Sequence, residues 1–263
     1  MRIAVLIACH DRKAKTLACL RSLGTFDGRV FLVDGGSTDG TPAAVESEFP
    51  SVRVIRRGSD VWWASGMRIA WSAAAAEGGW DCYLWLNDDV ILDAGAINEL
   101  AAAADDRTIV TGMLRQPGTD LVSYAADDLG LKKVPAQRRV EVKGYLHGNC
   151  LLVTAGAFAK IGGMAEGIVH NFGDMEYGVR ARRRGMRIVA VGPVGECFRQ
   201  PAFDRRRLLS MSVRERWRTL QDPKLIAAAD WIRFKRLTKG RFFATLSALK
   251  MLFLVVFPKA VVR

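Results

Sequence analysis

At 263 residues, with 50% hydrophobic and 25% charged side chains, the chain can bury a sizeable core in one large domain, or in one domain plus a small appendage, and is not a disordered chain. Its formal net charge of +12 points to an anionic partner: nucleic acid, a nucleotide substrate or an acidic membrane surface. The five cysteines (9, 19, 82, 150 and 197) include no CxxC pair, so they read as reduced and structural, which suits a cytosolic compartment.

The opening run Ile3–Cys9 is apolar throughout and of strand length. It leads into His10-Asp11-Arg12-Lys13 without a small-residue cleavage site, so it reads as a first strand and not as a secretion signal. Leu17, Leu20 and Leu23 give Lys15–Leu23 helical spacing. A strand over Arg29–Val33 ends in Asp34-Gly35-Gly36-Ser37-Thr38-Asp39-Gly40-Thr41, and Pro42–Phe49 follows as a helix with Pro in its first turn. Val52–Arg56 is a strand, Ser65–Glu77 an alanine-rich helix, Asp81–Leu86 a strand, Ala94–Ala104 a helix and Thr108–Met113 a strand. This alternation predicts an α/β fold with a doubly wound, mostly parallel sheet and helices on both faces. Ligands bind such sheets at the carboxyl ends of strands, where the loops Cys9–Arg12, Asp34–Thr41, Arg57–Met67 and Asn87–Val90 all fall.

The second half is less regular. Asp120–Val142 reads as a hairpin or loop, and Gly144–Val153 as a strand entering a helix at Ala155–Ile161. Phe172–Arg184 contains a helix, Arg187–Val191 is a strand and Ser212–Leu220 a helix. Beyond Gly192 arginines crowd together, at 199, 205–207, 214, 216 and 218. Phe242–Phe257 is almost wholly apolar but shorter than the ~20 residues that span a bilayer. Lys235, Arg236, Lys239 and Arg241 precede it, and Lys259 and Arg263 follow. This pattern suits an in-plane anchor on an anionic membrane surface. The alternative is a terminal helix docked on the core or on another subunit of a homo-oligomer.

Three segments carry chemistry. In Asp34–Thr41 the glycines allow a ligand close to the backbone, and Asp34 would accept hydrogen bonds from a base or ribose; the bland alternative is a helix-capping turn. Asn87-Asp88-Asp89 ends the buried run Cys82–Leu86 with adjacent carboxylates. Such charge is matched by a hard cation, Mg²⁺ or Mn²⁺, or is spent on capping the next helix through Asp89 or Asp93. Asp174 stands near a helix start, placed as a general base, while Glu176 and Arg180 form an (i, i+4) pair. No cysteine–histidine cluster has zinc spacing, and there is no P-loop.

In order, Cys9–Arg12, Asp34–Thr41, Asp60-Val61-Trp62-Trp63-Ala64-Ser65-Gly66-Met67, Leu84–Val90 and Gly173–Arg180 resemble the family-2 glycosyltransferases of GT-A fold, over residues 1 to about 220. The Trp-Trp-x-x-Gly-Met and Trp-Leu-Asn-Asp-Asp-Val stretches look most like the bacterial rhamnosyltransferase-like branch that assembles cell walls or polysaccharides. The resemblance implies inverting transfer of a sugar from a nucleotide-diphosphate donor to a saccharide or lipid-linked acceptor. It divides the chain into a nucleotide-sugar half (1–115), an acceptor and catalytic half (116–220) and a basic, apolar helical tail (221–263). It implies a donor side of Cys9, His10, Arg12, Asp34, Gly35, Ser37, Asp60, Gly66, Met67, Asn87 and Asp88. Asp89 would be the direct ligand of the divalent cation. Trp62, Trp63, His147, Gly148, Asn149 and Glu176 would line the acceptor side, and Asp174 would deprotonate the acceptor hydroxyl. His170 reads as structural.

There are departures from the family pattern. Asn87 holds the first Asp-x-Asp place, Gly173 replaces the usual acid before the base, and Glu196-Cys197-Phe198-Arg199 stands where relatives carry a late histidine. Arg199 or Arg205–Arg207 would then supply positive charge to the diphosphate. A sugar-nucleotide nucleotidyltransferase is the alternative, but it would want a glycine-rich loop after the first strand, which Cys9–Arg12 lacks. A basic nucleic-acid-binding protein is a third reading; the concentration of charge after residue 199 speaks against it, so no nucleic-acid partner is expected. The expected location is cytoplasmic, peripheral at the membrane's cytoplasmic face.

Overall fold

The computed structural model describes residues 1–130 and 132–261. Its strands are β1 (Ile3–Cys9), β2 (Gly28–Asp34), β3 (Arg53–Arg56), β4 (Cys82–Leu86), β5 (Ile91–Leu92), β6 (Thr108–Arg115), β7 (Val122–Tyr124), β8 (Arg139–Glu141), β9 (Cys150–Thr154) and β10 (Arg187–Glu196). The helices are α1 (Lys13–Ser22), α2 (Thr41–Glu48), α3 (Trp63–Glu77), α4 (Ala96–Ala101), α5 (Ala155–Ile161), α6 (Gly173–Arg183), α7 (Val213–Gln221), α8 (Ala228–Lys239), α9 (Arg241–Val256) and α10 (Pro258–Val261), with a 3-10 turn at Arg205–Ser210.

The strands form a ten-stranded sheet with the backbone order β3-β2-β1-β4-β9-β6-β10-β5. Strands β1, β2, β3 and β4 pair in parallel, as do β6 and β10. Strand β9 runs antiparallel between β4 and β6, so those two share one direction. The sheet is thus mostly parallel, as expected, with β9 reversed at its centre and the short strands β5, β7 and β8 pairing antiparallel with β10 or β6.

The continuous apolar runs follow from burial on both faces. Along β1, Ala4 and Leu6 join one core cluster with α3, α5 and α6, while Ile3, Val5, Ile7 and Cys9 join a second with α1, α2 and α4. Trp85, Tyr177 and Met67 are among the largest fully buried side chains of the first cluster. Helix α3 lies close on β1 because Gly66 has no side chain: a Cβ there would come within 2.8 Å of Ala8 Cβ. All five cysteines are free and buried.

Some elements depart from the sequence reading. Helix α4 is shorter than expected and begins at Ala96, with Gly95 at its N-cap and no side-chain cap. Asp93 instead forms a bidentate pair with Arg115, both contacts at 2.7 Å. The capping alternative for Asp89 or Asp93 therefore fails. Strand β10 continues past Gly192-Pro193, a pair that reads as a breaker, because the register with β6 shifts between Val191 and Gly195 and pairing then resumes. Helix α8 was not anticipated as a separate element.

Helix α8 has a structural task next to α6. The buried Asp230 carboxylate accepts hydrogen bonds from the backbone N–H groups of Val169, His170 and Asn171, at 2.8, 2.7 and 2.9 Å. Phe172, which follows, has φ of 70°, a left-handed conformation that a bulky residue rarely adopts. Its ring packs on Trp231 and Phe234 of α8, at centroid distances of 5.1 and 5.8 Å. The loop that launches α6 is thus held from the C-terminal region. Asp230→Ala removes one acceptor from three amides, and a stability loss of roughly 3 kcal/mol is expected in urea unfolding; an unchanged midpoint would refute the clamp.

Candidate active site

A cleft of about 700 Å³ lies at the carboxyl ends of β1 and β4. Cys9, His10, Arg12, Trp62, Trp63, Gly66, Asn87, Asp88, Asp89, His147, Gly148, Asn149 and Asp174 line it. These positions are scattered over more than 160 residues of sequence. The antiparallel placement of β9 explains part of the convergence: Asn149, just before β9, accepts from the backbone N–H of Asn87, just after β4, at 2.9 Å.

At the acidic end, Arg12 reaches both carboxylates. Its Nε lies 3.4 Å from Asp88 Oδ2, and its Nη2 contacts Asp89 Oδ2. Asp88 is buried, and its Oδ2 has no hydrogen-bond partner. Burial raises the Asp88 pKa to about 7; Arg12 opposes the rise and Asp89 adds to it. Cys197 Sγ lies 3.6 Å from Asp89 Oδ1. Asn87 turns its side-chain oxygen to Trp63, whose Nε1 donates at 2.8 Å. The first place of the Asn-Asp-Asp triplet therefore fixes an aromatic wall of the cleft.

Asp174 sits in the first turn of α6, where the helix dipole favours a carboxylate. Its Oδ2 accepts from the Gly148 N–H and its Oδ1 from the Met175 N–H, both at 2.8 Å. Burial pushes its carboxyl pKa up, against the pull of His147 and of these two amides. Gly148 must be glycine for this contact: a Cβ there would lie 2.8 Å from the Trp63 ring and 3.0 Å from Asp174 Cβ. His147 Nε2 approaches Asp127 Oδ1 to 2.8 Å.

Other expected site residues lie elsewhere. Met67 is fully buried in the core, packed where α3 meets the sheet, and does not reach the cleft. Glu176 is buried in a bidentate pair with Arg180, both contacts at 2.9 Å, and Arg180 is held further by the carbonyls of Ile161 and Gly163. Its carboxylate is engaged there, and Glu176, expected on the acceptor side, is not among the residues that line the cleft. Asp34 is buried and accepts from the Gly36 and Ser37 amides at 3.1 and 3.0 Å, so it shapes its own turn. Gly35 ties its loop to the end of β1, with its carbonyl 2.8 Å from His10 Nδ1 and its amide donating to the Cys9 carbonyl at 2.9 Å. Ser37 Oγ accepts from the Asp11 amide at 2.8 Å, and Asp60 is exposed. Arg199 is anchored to the Ser123 carbonyl at 2.9 Å, and Arg206 pairs with Asp204, so neither is directed to the cleft by these contacts.

Sequence reasoning missed Tyr124, Gln200, Phe203, Lys224 and Leu225, all of which line the cleft. They come from the irregular second half, where no periodicity marks them. His170 also lines the cleft, and its Nδ1 accepts from the Trp63 amide at 3.3 Å. Lys224 Nζ lies 5.3 Å from the Trp62 ring centroid, a cation–π contact at the rim.

The family model described as "Glycosyl transferase family 2" matches residues 4–162, more than half of the chain. The chain belongs to glycosyl transferase family 2. Two relatives from Mycobacterium tuberculosis, strains CDC 1551 and H37Rv, are each named N-acetylglucosaminyl-diphospho-decaprenol L-rhamnosyltransferase and are 27% identical over 191 residues. That alignment covers 59% of this chain and 61% of each relative, so the chain spans less than two thirds of their length. Among solved structures, S. aureus TarS 1-349 in complex with UDP matches with a TM-score of 0.60 at 13% identity, over 97% of this chain and 90% of that one. GalNAc-T7 with UDP, GalNAc and Mn²⁺ matches with a TM-score of 0.58 at 12% identity, over 96% and 57%. At such identity these two show the shared GT-A fold.

In this glycosyltransferase the Gly148 gap decides how Asp174 and Trp63 sit. Gly148→Ala is expected to leave the overall fold intact by circular dichroism but to lower turnover by about 100-fold, because an ångström's displacement of side chains around a reacting centre has that order of cost. Wild-type turnover in the alanine variant would show that the close approach is unimportant.

Proposed function

We propose that this family-2 glycosyltransferase moves a sugar, with inversion, from a nucleoside-diphosphate donor to a hydroxyl of a lipid-linked saccharide. The observation that carries the reading is a single cleft holding the Asn87-Asp88-Asp89 strand end together with Asp174, whose carboxylate is fixed by Gly148. The two rhamnosyltransferase relatives, named for a diphospho-decaprenol acceptor, support a lipid-linked acceptor and a role in building cell-surface polysaccharide. The TarS structure in complex with UDP and the GalNAc-T7 structure with UDP support a nucleoside-diphosphate donor.

Asp174 accepts the proton of the acceptor hydroxyl as its oxygen attacks the anomeric carbon, and the nucleoside diphosphate leaves from the opposite face. Its raised pKa makes the carboxylate a stronger base than an exposed aspartate. Arg12 offers a guanidinium to diphosphate oxygens at the acidic end of the cleft. Trp62 and Trp63 present ring faces for a sugar or a base.

The donor set fits a divalent cation. Asp88 and Asp89 supply hard oxygen ligands, and Asp88 Oδ2 is a buried oxygen without a hydrogen-bond partner. Among the described residues no group of three or more His, Cys, Asp or Glu side chains could hold a metal alone. That suits Mg²⁺ or Mn²⁺, which take one or two carboxylates and complete their shell with water and substrate phosphates. Asp89 would be the direct ligand, and Arg12 would turn from it to the diphosphate. When bound, the cation neutralises charge on the departing diphosphate.

Two experiments test this reading. With a nucleotide-sugar donor and a lipid-linked acceptor, Asp174→Asn is expected to keep donor binding and to lower kcat by about 10²–10⁴-fold. The base works only when ionised, so kcat/KM falls as pH drops through its raised pKa, at higher pH than for an exposed aspartate, and the Asn variant loses that limb. Near-wild-type turnover in Asp174→Asn sinks the base assignment. Separately, Asp89→Ala is expected to abolish the Mn²⁺-dependent part of nucleoside-diphosphate binding in calorimetry; wild-type affinity that is equal with and without metal removes the cation role.

A further inference from the structure

Charge and exposed apolar surface are concentrated in one part of the molecule. From residue 200 to the end the sequence holds fifteen Lys and Arg against four Asp and Glu, so eleven of the twelve net positive charges lie there. Helix α9 contains no acidic residue. Its inner face, with Met251, Leu254 and Val255, packs with Leu208, Leu220 and Ile226 into a third core cluster. Its outer face carries Phe242, Leu246, Leu249, Phe253 and Val256, spaced by three and four residues, and all of them are exposed. Phe242, a full-sized aromatic, is 69% exposed. Phe257 and, on α7, Trp217 and Val213 are exposed as well.

Monomeric soluble proteins rarely show so continuous an apolar face. Arg241 and Lys250 are exposed on α9, and Lys239 and Lys259 are exposed just beyond its ends. Long cationic side chains placed there would reach to a headgroup layer while the aromatic and leucine side chains enter the acyl boundary. Among the described residues no helix is long and apolar enough to cross a membrane. A second copy of the chain would bring the same cations against one another, whereas an anionic surface matches them. Arg263, also expected to flank this helix, lies outside the described residues.

We propose that the outer face of α9, with Trp217 of α7, docks in the plane of an anionic lipid bilayer. A groove lined by Trp62, Trp217, Arg218, Gln221, Asp222 and Pro223 shares Trp62 with the main cleft. Docking through α7 and α9 therefore sets the cleft's Trp62 edge toward the bilayer, where a lipid-linked acceptor is held. The docking itself does not rest on the acceptor assignment, because it is read without turnover.

Co-sedimentation with vesicles tests it directly. The wild-type protein is expected to bind vesicles of phosphatidylcholine mixed with phosphatidylglycerol at least tenfold more tightly than phosphatidylcholine alone, with affinity falling as salt is raised. The exposed triple variant Phe242→Ser/Leu249→Ser/Phe253→Ser is expected to lose about tenfold or more in vesicle affinity, while nucleoside-diphosphate binding stays at the wild-type level. The charge variant Arg241→Glu/Lys250→Glu is expected to lose the preference for anionic lipid. No binding of the wild type to anionic vesicles overturns the proposal. So does a wild-type dimer in sedimentation velocity that the triple variant dissociates, since the face would then meet a second copy. Vesicle binding without any sugar transfer would instead count against the proposed reaction and leave the docking surface standing.

Discussion

The reversed strand β9 is the constraint on which the rest of the molecule depends. By pairing antiparallel with both β4 and β6 it joins the parallel first half to the β6–β10 pair in one sheet. It also turns the chain so that His147-Gly148-Asn149 enters the cleft beside Asn87. A parallel strand in that slot would carry those residues to the opposite edge of the sheet. The Gly148 amide then meets Asp174, and the missing Gly148 side chain leaves room for Trp63. Two segments far apart in sequence are thereby locked to a third.

The second constraint comes from outside the family-matched region. Asp230 and the α8 aromatics hold residues 169–172 in the conformation that starts α6. The strained Phe172 is the last residue of that loop and lies two positions before Asp174. Strain at such a point persists only when the surroundings over-determine it. The basic C-terminal region therefore has two faces of work: one fixes the helix that carries Asp174, and the other leaves a cationic, apolar surface open to solvent.

The charges at the acidic end of the cleft follow the same logic. Two neighbouring carboxylates at a buried strand end are costly unless matched, and Arg12 from the β1 end matches them. The match is incomplete, since one Asp88 oxygen has no hydrogen bond and its pKa rises to about 7. An acidic pair poised in this way attracts a cation or a cationic side chain.

What the sequence determined by itself was the layered α/β plan and the strand-end motifs. Apolar runs such as Ile3–Cys9 and Cys82–Leu86 have one economical burial, in a sheet covered on both faces, and turn residues after them mark the ligand edge. The strand-end loops that hold Arg12, Trp63 and Asp89 were legible from the apolar runs before them, and Asp174 from its place near a helix start; the part expected of each residue came from the resemblance of these motifs to family-2 glycosyltransferases. Only tertiary structure decided which polar groups are spent internally. The Glu176–Arg180 pair and the Asp34 turn were both open to the sequence, and burial of the two carboxylates decided that these local contacts satisfy them. Asp230, Tyr124, Gln200 and Lys224 carry no local signal, yet they clamp or line the site. The physical reason is range: strand and helix patterns record burial within a few residues, whereas the Asp230 clamp and the shared cleft walls join residues far apart in sequence, which no local pattern encodes.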